Sequence, residues 1–79
     1  MLLLNFKGPV SVQYHVDQAL EWFGEADRKA KKGKKAAWQK AYQEGAKHVG
    51  GAQETGLSGW RLDVLKIAQK GCWQNGQKL

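Results

Sequence analysis

The sequence predicts a mainly α fold: a small three-helix domain spanning residues 1–79, preceded by a short N-terminal strand or extended arm. Three observations predict it. Apolar residues recur at helical spacing for about five turns from Val12 onward. Acidic residues come before basic ones along that stretch. Glycines at 33, 50–51 and 71 divide the rest of the chain into helix-sized pieces.

Leu2, Leu3, Leu4 and Phe6 form a short apolar run closed by the Gly8-Pro9 turn signal. It reads as a strand or packed arm, and one reading lets it pair with a second copy as a homodimer. It lacks the basic n-region and cleavage site of a signal peptide. No stretch reaches the roughly 18 apolar residues that cross a bilayer. With these absences, and with one cysteine, the expected setting is cytoplasmic.

The first helix is expected over about 12–32. Val12, Val16, Ala19, Leu20, Phe23, Ala26 and Ala30 fall on one face, and Gln13, Asp17, Glu21, Glu25, Arg28 and Lys32 fall opposite. Tyr14 is the one large ring on the polar face. Ser11 suits the N-cap and Gly33 the C′ position. The alternation of Val10, Val12, Tyr14 and Val16 supports a competing α+β reading, a hairpin over residues 2–16. The apolar face is rich in alanine and the first half of the helix is acidic, which fits packing in a small domain better than lying on lipid.

A second helix is expected from Lys35 to Val49, with Trp38, Ala41, Tyr42, Gly45 and Val49 on one face and Gly50-Gly51 ending it. Two glycines inside a helix cost roughly 2 kcal/mol relative to alanine. Residues 50–59 contain four of the ten glycines and read as a loop. A third helix is expected over about 59–70, capped by Ser58 and stopped by Gly71. Its apolar arc is wide, and Trp60, Leu62 and Leu65 are read as a candidate partner surface. The tail carries Trp73 and an Asn75-Gly76 turn signal. Ala52-x-x-x-Gly56 with Leu57, Leu62 and Leu65 mimics part of a helix-turn-helix, but glycines occupy its first helix.

The 79 residues carry 13 Lys+Arg against 7 Asp+Glu, for a net charge of +6. The excess is local. Residues 17–27 hold four acids and no base, and residues 28–35 hold six bases and no acid. Helix dipoles favour Arg28, Lys29, Lys31 and Lys32 at a C-terminus, yet disfavour Lys34 and Lys35 at the start of the next helix. An anion would compensate them, since backbone N–H groups at a helix start flanked by lysine suit phosphate. These six residues are the candidate nucleic-acid or partner-binding set. Tyr14 and Trp73 are the candidate stacking rings. Eleven Lys against two Arg point away from guanine reading and toward phosphate contact.

His15, His48 and Cys72 lack ligand spacing, so neither a metal nor a cofactor is expected. No catalytic motif occurs, and the expectation is a non-enzymatic protein. Two functions follow from the charge pattern. One is binding of nucleic acid or a nucleoprotein through the Lys-rich junction. The alternative is an adaptor or inhibitor that docks on an acidic or nucleic-acid-binding surface of a larger complex.

Overall fold

A computed structural model describes the backbone of residues 9–79 and the side chains of residues 12–79. The fold is mainly α, with three helices: α1 (Pro9–Lys31), α2 (Lys35–Glu54) and α3 (Gly59–Gln77). Among the described residues there is no strand. The 2–16 hairpin is overturned, because Val10, Val12, Tyr14 and Val16 all lie in α1, where a five-turn apolar face outweighs a short alternation. Ser11 lies inside α1 rather than at its cap, and Pro9 takes a first-turn position that needs no N–H. The Leu2–Phe6 run lies outside the described residues.

The helices run up, down and up. Side-chain pairs step along α1 and α3 in the same direction: Gln13 with Arg61, Phe23 with Cys72, and Asp27 with Asn75. Pairs between α2 and α3 step oppositely, Tyr42 with Gln69 and Trp38 with Cys72. The second and third helices therefore lie side by side. Neither crosses the other as a groove-reading helix would.

Both helix ends at turns are closed by the same local device. At the end of α1, Lys34 N–H donates to Lys29 C=O at 3.0 Å and Gly33 N–H to Ala30 C=O at 2.9 Å, with Gly33 at φ 72°. At the end of α2, Leu57 N–H donates to Ala52 C=O at 2.8 Å and Gly56 N–H to Gln53 C=O at 3.1 Å, with Gly56 at φ 119°. Each is a Schellman motif. In the second, buried Leu57 also packs into the cluster that holds Ala52, which fixes the turn into α3.

Thus the expected stop at Gly50-Gly51 is corrected: α2 continues to Glu54. Burial of Val49, Ala52 and Leu57 beyond and around the glycine pair offsets its helix penalty. The stop at Gly71 and the Asn75-Gly76 turn are corrected too, since α3 runs to Gln77. Ser58 occupies the N-cap position of α3 but makes no side-chain cap bond.

The core consists of Ala19, Phe23 and Ala26 from α1, Trp38, Ala41, Val49 and Ala52 from α2, Leu57 from the turn, and Leu65 and Cys72 from α3. Its alanines let the backbones approach, and the large rings sit against glycines. A Cβ on Gly45 would overlap the Phe23 ring, and one on Gly76 would overlap the Trp38 indole. A Cβ on Gly51 would come within 2.8 Å of the His15 ring. Three helical glycines are therefore ring seats rather than helix stops.

Candidate nucleic-acid interface

The α1–α2 junction gathers the basic residues at one end of the bundle. Glu25 accepts from Arg28 at 2.7 Å and faces Lys29 at 3.4 Å. The Arg28 bond first, and then Lys29, hold the Glu25 carboxyl below the ordinary carboxylate range. Asp27, two residues on, accepts a hydrogen bond from Asn75 Nδ2 at 3.0 Å. The acids nearest the junction are thus engaged.

Lys31, Lys32, Lys34 and Lys35 are exposed and join no ion pair among the described residues. Lys34 is the N-cap residue of α2 and supplies no side-chain cap, and the first turn of α2 has no acid. The dipole conflict expected from sequence is present: two cations flank a helix start whose N–H groups lack a side-chain acceptor.

Trp73 is 47% exposed and lines a groove between α2 and α3 with Lys35, Gln39, Gln43 and Gln77. The groove places an aromatic face next to Lys35, one of the four lysines of the junction. On the helical wheel of α3, Lys66 lies on the same arc as Trp73. Tyr14 is 54% exposed but stands near the opposite end of α1, about 20 Å along the helix from Arg28. It packs edge-on against His15 and His48. The structure therefore joins Trp73 to the lysine cluster and separates Tyr14 from it.

The candidate partner surface is corrected at one position. Trp60 is 74% exposed, Leu62 is half-buried against the core, and Leu65 is 1% exposed inside it. With α3 extended to Gln77, Leu65 shares its face with Cys72 and Gly76, and this face is the one that α1 and α2 cover. The exposed apolar stripe is Trp60, Val64 and Ile67.

Sequence spacing gave no hint of a second polar constellation. His15 and His48, from α1 and α2, lie with their Nδ1 atoms 2.9 Å apart, one ring donating and the other accepting. Burial, and then the nearby His15, hold the His48 imidazole below its ordinary range. Glu44 acts in the opposite sense and Lys47 in the same sense. The described residues contain no group of three or more His, Cys, Asp or Glu placed to hold a metal.

Cys72 is buried, with its Sγ donating to the Phe23 carbonyl at 3.7 Å. Burial first, then the Asp27 charge, pushes its thiol up to about 12, so it is a packing residue rather than a nucleophile. No helix among the described residues is long and apolar enough to cross a membrane. No protein-family model, curated protein or solved structure matches this chain.

Proposed function

We propose that the chain is a non-enzymatic protein that binds single-stranded nucleic acid. Lys31, Lys32, Lys34 and Lys35 contact phosphates, and Trp73 offers a stacking face to an unpaired base. One observation carries the reading: four cations without acidic partners among the described residues share one end of the bundle with an exposed indole, and Lys35 lines the groove in which that indole lies. Lysine on flexible stems neutralises phosphate without reading base edges, so binding is weakly sequence-dependent.

A salt titration tests it. A fluorescent oligonucleotide should bind at low salt, with log K falling against log salt at a slope of about −3 for four phosphate contacts to a single strand. Replacing Lys31, Lys32, Lys34 and Lys35 with Glu should abolish binding while the helical circular dichroism stays. Absence of binding at low salt overturns the proposal. The same lysines then serve an adaptor or inhibitor that docks on an acidic protein surface.

A further inference from the structure

We infer that a second copy of this chain covers the exposed face of α3, forming an antiparallel, two-fold symmetric helix pair. Trp60 is 74% exposed, Ile67 70% and Val64 53%, and all three lie on the side of α3 opposite Leu65, Cys72 and Gly76. No element of the described chain packs on this stripe. Its spacing, Trp60, Val64, Ile67 and then Gly71, steps by four, three and four, which is the seam of a two-helix coiled coil.

Size matching points to self-association. Gly71 sits inside α3 with a negative φ, and apart from its own helix backbone no atom of the described residues lies within 4 Å of where a Cβ would stand. Among the described residues it serves neither a left-handed turn nor a ring, in contrast to Gly45, Gly51 and Gly76. Gly50 is open in the same way, but Gly71 alone of the two lies in line with the exposed stripe, where it leaves a notch that a ring can fill. In an antiparallel two-fold pair, residue i meets j and j meets i. Pairing Val64 with Ile67 of the second copy then sets Trp60 over Gly71 of that copy, and the reverse. The largest side chain of the stripe meets its smallest, as Trp38 meets Gly76 within the monomer.

Charge matches in the same register. Asp63 and Lys70 are exposed on one edge of the stripe and join no intramolecular ion pair among the described residues. The two-fold axis that brings Trp60 to Gly71 brings Asp63 of each copy to Lys70 of the other. On the opposite edge, Arg61 is already held by Gln13 at 3.0 Å, and Ala68 leaves room. The seam is short, so the dimer dissociates on dilution.

Sedimentation equilibrium over a concentration series tests this. The mass should rise from 8.8 kDa toward twice that value at sub-millimolar concentration. Trp60→Asp should remain monomeric with unchanged helical circular dichroism. Asp63→Lys or Lys70→Asp alone should weaken association by about tenfold or more through like-charge contact, and the double exchange should restore it. Gly71→Ile should also weaken the dimer, although open space awaits the side chain in the monomer. A wild-type chain that stays monomeric throughout overturns the inference. So does a dimer indifferent to Trp60→Asp and to the charge exchange.

Discussion

The Trp38 indole lies directly against Gly76, and its Nε1–H donates to the Cys72 carbonyl at 3.2 Å. That carbonyl belongs to the helix turn preceding Gly76, and a side chain at 76 would overlap the ring that makes this bond. One glycine thus lets an aromatic ring from α2 fill the space beside α3 and satisfy its own polar atom.

Gly76→Ala should therefore destabilise the fold by about 1–3 kcal/mol, the usual range for overpacking a fitted site, despite the better helix propensity of alanine. Gly45→Ala should act in the same direction through Phe23. Gly50→Ala is the control: nothing among the described residues lies near its Cβ position, and it should stabilise by up to about 1 kcal/mol. Urea midpoints of the three variants check the ranking. If Gly76→Ala matches Gly50→Ala, the ring seat has no energetic weight.

These glycines mark where the fold was legible and where it was not. Gly33 was readable because a Schellman cap is local: helix, glycine and bonding partners lie within six residues. Gly51 and Gly76 have the same residue type but face rings 36 and 38 positions away in sequence, His15 and Trp38, and no local pattern separates a seat from a stop. Cutting α3 at Gly71 had a consequence for the site. A helix that stops at Gly71 lacks Gly76, the seat of the Trp38 ring, so the buried side of its wide apolar arc is undetermined and Leu65 groups with Trp60. The lysine cluster was legible as a contiguous run. The placement of Trp73 beside Lys35 was not, because it depends on α3 continuing back along α2.

Trp73 provides a prediction about ligand form. A stacking ring requires an unpaired base, whereas lysines accept phosphates of either form. Trp73→Ala should weaken single-strand binding by about 1–3 kcal/mol, the range for loss of one base–aromatic stack, and leave duplex affinity nearly unchanged. Parallel titrations with a single strand and its duplex measure this. Equal losses for both forms would rule out stacking by Trp73 on an unpaired base. Tyr14→Ala should change neither, because Tyr14 lies about 20 Å from Arg28 along α1.

The buried Cys72 thiol should be inert in the folded chain. A thiol pushed up to about 12 has almost no thiolate at pH 8, and its sulfur is sealed by the core. A disulfide reagent should label it only through opening of α3, so the rate should rise steeply with urea. Immediate labelling of the native protein would contradict the packing described for Phe23, Trp38 and Cys72.

Two groups inside the bundle, His48 and Cys72, shape the response to pH. His48 is held below the ordinary imidazole value, so on acidification the unfolded chain takes up its proton before the folded one does. The stability linked to His48 is present above about pH 6.5 and is lost as pH falls below that value toward the lowered folded one. Protonating both rings also removes the acceptor from the 2.9 Å His15–His48 bond, with Tyr14 on α1 and Glu44, Lys47 and Glu54 on α2 as the other groups around the pair. Cys72 works at the other limit. Its raised folded value means that the unfolded thiol ionises first, so its contribution is present below about pH 8.5 and is lost as pH rises above it. Thermal melts from pH 5 to pH 10 should therefore show a plateau between the two limbs. His48→Gln should flatten the acid limb and leave the alkaline one, and Cys72→Ala should do the reverse. An acid limb of unchanged slope in His48→Gln would separate the histidine pair from acid stability.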